Sequence, residues 1–599
     1  MAVAVKRHEG RSSTSRATWS RACGIPWAFL VVLALVSAVA AIAGGWTPVS
    51  DYVMIAAGSS ETLSRDPMLV GQPTSLGPVA GESLAHPGPL LYWALSVPVA
   101  FLGPPGQGVV VGAAVVNAAC LVALAVLLGR LRQPLILVAG AVAAALLVGE
   151  MRHYFLRDPF NPAMALLPTA VAAVALVCVL AGHPKASVAL VLFGSFAAQA
   201  HLAAAPVIGL LVVAGVVAMV WMGWWGRSAS LRRAARRWLS VSAAMGVACW
   251  VGPIIDQVAG NGNLWALVSG GRSDEVLGLA AGARRGVMAL ASSPLWGNPQ
   301  RPRLTGPATG QGELGAIRLW EVGVAVGLLA GLALLVARGV RRHNAPLAAF
   351  AAASLLTVGG VTLMTSQLPR TSGIVTRVAV PANNHAWALA VVLAWATLAG
   401  GLAQVVTTEV RAVRLGISRL HRRQRRAAAI GAATLAVIVV GSAAVTPLDP
   451  SAEPGSLLWG PARVHAAAID DAIASGTPVV LEGEEGSDPA LRSSLVVSTL
   501  VGQLQLRGID AYYRATSLDT WVPGLIPRYR VTTAPREAAR VVVRVGPHAL
   551  DEIPGYTRLS GYDPANPPPR YSGNAAPFLG GGTEPTSVDL APDSQPSGD

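Results

Sequence analysis

Long apolar stretches alternate with short basic ones along most of this chain. Runs of 16 to about 24 residues, nearly free of charge, occupy 25–45, 107–129, 134–149, 163–182, 186–201, 204–225, 238–255, 319–337, 345–365, 384–407 and 427–446. Most reach the roughly 20 residues a helix needs to cross a hydrocarbon core. The pattern predicts an all-α polytopic membrane protein with about eleven transmembrane helices. One further apolar stretch, Leu90–Leu102, is short and flanked by proline. It reads as a helix lying in or on the interface, because counting it as a span would reverse every later loop.

The charges between the runs set an orientation. With the N-terminus in the cytoplasm, the inside segments 1–24, 130–133, 183–185, 226–237, 338–343 and 408–426 hold 23 Lys and Arg. The outside loops before the C-terminal region hold 11, over more than twice the length. This is the bias that fixes topology. The first 24 residues are then a basic cytoplasmic N-terminus, and the first apolar run reads as an uncleaved anchor. The basic run Arg419–Arg426 reads as a topology signal at lipid headgroups and not as a nucleic-acid site.

Beyond 446 the pattern changes. Helical periodicity over 462–475 and 489–507 alternates with strand-like runs at 477–482, 509–514 and 541–545. A small extracytoplasmic α/β domain over 447–561 is the expectation. From 562 to 599 the chain is rich in Pro, Gly, Ser and Asn, which predicts a disordered tail that can be removed after Gly561 without loss of folding.

Composition agrees with a bilayer protein: 53% hydrophobic, 13% charged, mean hydropathy +0.52. The net charge of +14 follows from the inside loops and needs no polyanionic partner. The four cysteines (Cys23, Cys120, Cys178, Cys249) all lie in or beside apolar runs, so no structural disulfide is expected. No Walker loop, zinc-type Cys/His spacing or GxSxG elbow is present.

What remains is a set of polar residues at the predicted outer face. The first outer loop, 46–106, carries Asp51, Glu61, Asp66 and Glu82 against one cation, Arg65, and closes on His86-Pro-Gly-Pro. The next carries Arg152, Arg157 and Asp158 in a dense polar cluster. His201 follows, then Asp256 and Asn263 in the long outer loop 256–318, and Arg370 and His385 beyond it. Two carboxylates from adjacent outer loops, Asp51 and Asp158, can converge on one reacting group. Arg152 and Arg157 beside them can hold a phosphate.

In this layout the chain resembles the C class of membrane glycosyltransferases (GT-C). The acid soon after the first span, the His86-Pro-Gly-Pro-Leu-Leu-Tyr92-Trp93 segment, Asp158 in Arg157-Asp-Pro-Phe-Asn-Pro, Gln199-Ala-His201 and Asp256-Gln257 carry the likeness over residues 25–446. A soluble outer C-terminal domain is similar to that of actinobacterial members. The resemblance implies an inverting transfer of sugar from a polyprenyl-phosphate donor to a cell-envelope glycan or glycolipid at the outer face of the cytoplasmic membrane. It gives the catalytic roles to Asp51 and Asp158 and donor or substrate binding to Arg152, Arg157, His86, His201, Arg370 and His385. A divalent metal, Mg or Mn, is the one cofactor it admits. The class often pairs adjacent acids, whereas Tyr52 follows Asp51 here. The alternatives are a transporter or flippase for a lipid-linked glycan, which would want charged or broken helices at the midplane, and a non-catalytic membrane scaffold.

The charge asymmetry makes a direct prediction about topology. A reporter that works only in an oxidising exterior, fused after Leu448, should be active, whereas cytoplasmic labelling of a cysteine placed there would refute the orientation.

Overall fold

A computed structural model describes residues 13–49, 51–65, 67–74, 84–102, 106–151, 153–269, 276–292, 317–368, 374–413, 459–483, 491–514, 538–545, 556–562 and 586–591, together with 535, 551, 552 and 554. Among these, eight helices are long and apolar enough to cross a membrane. The protein is a helical, multi-pass membrane protein with a small C-terminal sheet domain.

The helices follow the hydropathy pattern in order. They are α1 (Ser13–Ala43), α2 (Asp51–Glu61), α3 (Leu90–Phe101), α4 (Gly108–Arg130), α5 (Pro134–Met151), α6 (Asn161–Leu180), α7 (Ser187–Ala200) and α8 (Ala205–Trp225). After them come α9 (Ala229–Ala259), α10 (Asn263–Ser269), α11 (Gly278–Ala291), α12 (Leu319–Arg341), α13 (Ala345–Ser366) and α14 (Ile374–Val413). Ten of the eleven expected runs are helical. Two of those ten, α5 and α7, are not among the eight long apolar helices. At 14 residues α7 spans only about 21 Å, short of a roughly 30 Å hydrocarbon core. The eleventh run, 427–446, lies outside the described residues. Leu90–Leu102 is the short helix the sequence suggested.

Helix α6 occupies the centre of the bundle. Its apolar window is 94% buried, and it packs on α4, α7, α8 and α13. Small residues set the close approaches, as membrane helices require. A Cβ at Gly360 on α13 would stand 2.6 Å from the Val207 backbone on α8.

One segment differs from the sequence expectation of a simple outer loop over 256–318. Helix α11 dips into the bundle beside α13 and α14. The Leu277 N–H donates to Leu368, Gly282 backs onto the Thr362 carbonyl and Ser366, and the Leu290 carbonyl accepts from Trp395 Nε1 at 3.0 Å. Glycines at 282 and 286 permit this approach, and they bring Arg285 into a buried position at 5% exposure.

The C-terminal domain holds α15 (Trp459–Ala472), β1 (Val479–Gly483), α16 (Leu491–Gln505), β2 (Ala511–Arg514), β3 (Ala539–Val545), β4 (Thr557–Tyr562) and β5 (Thr586–Leu590). The sheet order is β2-β1-β3-β5-β4. The first three strands are parallel, and β5 runs antiparallel to both β3 and β4. Val479, Leu481, Val541, Val543 and Val588 are buried along it.

Strand β5 corrects the expectation of a dispensable tail over 562–599. Residues 586–590 insert between β3 and β4 and bury Val588 and Asp589. The sequence signal was weak because a five-residue strand between polar stretches has no periodicity of its own. Its burial comes wholly from its neighbours.

This domain rests on the segment that joins α1 to α2. Gln503 Nε2 donates to the Pro48 carbonyl at 2.7 Å, and Arg463 Nε donates to Thr47 Oγ1. Gly45, at φ +79°, leaves room for the Arg463 guanidinium, 2.9 Å from where a Cβ would stand.

Truncation after Gly561 should therefore unfold the C-terminal domain, because it removes the strand joining β4 to the sheet. Limited proteolysis should find the region after 459 digested in the truncated protein and protected in the full chain. Equal protection would show that β5 is peripheral.

Candidate functional site

Residues 46–49, between α1 and α2, are buried. Trp46 is 1% exposed and lies 5.8 Å, centroid to centroid, from Tyr52. Tyr52 in turn meets Phe160 edge to face at 6.4 Å. Phe160 stands two residues after Asp158 and Tyr52 directly after Asp51, so this aromatic contact brings the two acidic loops together. A cross-chain aromatic pair of this kind supplies both burial and orientation.

Asp51 begins α2. Its Oδ1 accepts from Gln72 Nε2 at 2.8 Å, which anchors the returning half of the loop. Burial pushes its carboxyl above the usual range, and the Gln72 bond pulls the other way. The neighbouring Tyr92 phenol on α3 is pushed up by burial, then by the charges of Glu61 and Asp51. These three side chains therefore share one low-dielectric region.

Asp158 is committed differently. Its Oδ1 accepts from the Phe160 N–H at 2.9 Å, closing the turn that leads into α6. Arg157 is 2% exposed at the end of the preceding 3-10 turn, whose Phe155 and Leu156 carbonyls accept from Asn117 Nδ2 on α4. Arg152 and Arg370 lie outside the described residues.

The three sequence-selected histidines come together. The His86 and His201 rings are 4.9 Å apart, and His385 lies close enough to influence His201 electrostatically. His86 is fully engaged. Its Nδ1 accepts from the Leu202 N–H at 3.0 Å, and its Nε2 stands 2.7 Å from the Asn161 amide. An imidazole accepting at Nδ1 carries its proton on Nε2, so Asn161 must turn its amide oxygen to the ring. Burial pushes His86 down to about 4 and His201 well below its usual value. Both are neutral at physiological pH.

Around this cluster the backbone is held by side-chain amides. Asn263 clips Ala85 on both sides, accepting its N–H at 2.9 Å and donating to its carbonyl at 3.1 Å. Asp256 accepts from the N–H groups of Asn261 and Asn263, so it shapes the loop after α9. Gln199 joins Leu90 to Cys249. The sequence pointed to Gln199 and Asn263 as motif residues, but their structural work becomes visible only across separations of 50 to 178 positions. Gln72 carried no local signal at all.

Among the described residues no three His, Cys, Asp or Glu side chains gather as a protein-held cation would require.

Raising the folded pKa of Asp51 has a thermodynamic consequence. The fold favours the protonated carboxyl, so its contribution is fully present below the ordinary carboxyl range and is lost as pH rises through the folded value. Asp51→Asn keeps an acceptor for Gln72 and removes the buried charge. Thermal unfolding at pH 7 should move to higher temperature in the variant, and the gain should fade as pH falls toward about 3.9. A variant less stable at pH 7 would contradict this.

Comparison with known proteins finds no matching family model and no matching curated relative.

Proposed function

We propose that the protein is a membrane glycosyltransferase that moves a sugar from a polyprenyl-phosphate donor to a cell-envelope glycan or glycolipid at the outer face of the cytoplasmic membrane. The observation that supports this most is the meeting of the two acidic loops through Tyr52 and Phe160. It brings the half-buried start of α2, with Asp51, beside the turn that holds Asp158.

In this reading Asp51 takes the proton of an acceptor hydroxyl. The acceptor oxygen forms a bond to the anomeric carbon from the face opposite the phosphate. The sugar–phosphate bond breaks, and the configuration inverts. A carboxyl lifted by burial suits the task, because a base works best when its pKa approaches the operating pH. Asp158 positions the turn before α6. Arg157 and the two cations outside the described residues, Arg152 and Arg370, are the candidates to balance negative charge developing on the leaving phosphate. In this reading the C-terminal domain, seated on the segment that precedes Asp51, presents the glycan acceptor.

A flippase reading draws less support. The sequence-selected acids and histidines gather near α2 and α3, whereas the charge buried within the bundle that a transport path would use is Arg285 on α11.

The test is sugar transfer in membranes supplied with a panel of polyprenyl-phosphate sugars. Wild-type protein should label envelope glycan with one of them. Asp51→Asn should express and insert normally, keep donor binding and lose about 10²- to 10⁴-fold in rate, the usual cost of losing a general base. Transfer at the wild-type rate by that variant would remove Asp51 from the role.

A further inference from the structure

Below the histidine cluster lies a cleft between α6, α8, α13 and α14, with a cavity volume of about 30 Å³ behind an open mouth. Its walls are hydrocarbon, chiefly Leu166, Val207, Val361, Met364 and Leu389. Two threonines face it, Thr169 and Thr357. Each donates its hydroxyl proton to a carbonyl of its own helix, at 2.7 and 2.8 Å. The floor therefore offers no hydroxyl donor.

The polar groups of the cleft are at its top. His201 and His385 both line it. His201 Nδ1 accepts from the Ala203 N–H at 3.3 Å, so its proton sits on Nε2 and that nitrogen is a donor. His385 is bonded to the Pro162 backbone. Proline has no N–H, so the carbonyl is the acceptor and the ring is the donor. The remaining His385 nitrogen, Nδ1, is buried with no partner. It is a bare acceptor. On the same turn of α14, Asn383 is fully buried with Nδ2 unpartnered, and Asn384 Oδ1 is likewise buried without a partner. Orphaned buried polar atoms are costly and uncommon, about 1–3 kcal/mol each. Of these three residues His385 is the one that lines the cleft, so its Nδ1 is the atom that a ligand there would satisfy.

The chemistry of that ligand follows from what is offered. A donor on one imidazole and an acceptor on the other match a hydroxyl, which gives one hydrogen bond and takes another. They do not match a phosphate, whose oxygens would face the lone pair of His385 Nδ1. No lysine or arginine lines the cleft among the described residues. The hydrocarbon walls match an aliphatic chain. We propose that this cleft binds an uncharged, hydroxyl-headed amphiphile, with a head hydroxyl between His201 and His385 and its chain along α6, α8 and α13. The site stands independently of any transfer reaction. It also takes His201 and His385 from phosphate binding to recognition of a neutral hydroxyl.

The test uses the full-length protein in detergent-free nanodiscs and a photoreactive octyl glucoside carrying a diazirine at its chain end. The probe should crosslink to peptides of α6, α8 or α13. Excess octyl glucoside should suppress labelling, and octyl phosphate of the same chain length should suppress it at least tenfold less well. His385→Phe keeps an aromatic ring but removes the acceptor, and should weaken labelling about tenfold, the worth of one hydrogen bond. Val361→Trp should abolish it by filling the cleft. Competition by octyl phosphate equal to or better than that of octyl glucoside would overturn the proposal in favour of an anion site. Labelling that no competitor reduces would overturn it as general lipid contact. Both competition results come from the unaltered protein, so they decide the matter even if a variant fails to fold.

Discussion

The contact on which the rest of the arrangement depends is the seat of the C-terminal domain on residues 45–53. Gln503 and Arg463 reach the Pro48 carbonyl and the Thr47 hydroxyl across more than 400 positions of chain. Gly502 packs so closely on Val53 that no side chain fits between them. A segment without regular structure leaves backbone carbonyls that need partners from elsewhere, and ordering it costs about 1–2 kcal/mol per residue. The docked domain supplies the bond to the Pro48 carbonyl, and Gln107 Nε2 on the bundle side supplies that to the Trp46 carbonyl. Asp51 comes three residues after the carbonyl that is gripped, so its position is inherited from this contact. Trp46, Tyr52 and Phe160 then carry the order onward to the loop of Asp158.

The second constraint is the bilayer itself. A low-dielectric solvent leaves polar side chains either satisfied within the bundle or gathered at its ends. Ser354 and Thr397 are of the first kind, bonding each other between helices. His86, Asn161, Gln199 and Asn263 are of the second, and they lock the backbone around the start of α3. Asn383, Asn384 and His385 carry buried polar atoms left open, as Gln107 Oε1 and Asn117 Oδ1 do elsewhere in the bundle. Membrane proteins tolerate that where a ligand or water completes the site.

Much of the scaffold was legible in the sequence because its cause is local. Apolar runs of 20 residues make helices whatever their partners, and the short Leu90–Phe101 helix followed from its proline flanks. The α/β alternation after 459 was legible for the same reason. The histidine cluster was half legible. His86, His201 and His385 stood out as polar residues at helix ends, but nothing local said that His86 would be consumed by Asn161 and the Leu202 N–H while His385 kept an open nitrogen. Strand β5 and the descent of α11 into the bundle were not legible. One depends on pairing with β3 and β4, the other on glycines 282 and 286 meeting α13 and Trp387. Both are tertiary facts with no period in the sequence.

The central claim is that the C-terminal domain and the Asp51 segment form one unit at one end of the helix bundle. A cysteine pair tests it directly. The Val53 Cβ lies 3.3 Å from the position a Gly502 Cβ would take, near the spacing of about 3.5–4.5 Å that a disulfide needs. Full-length protein carrying Val53→Cys and Gly502→Cys should form the bond in membranes under mild oxidation, and the product should show as a mobility shift reversed by reductant. Either cysteine alone should give no shift. A double variant that folds and inserts yet stays reduced would contradict the account.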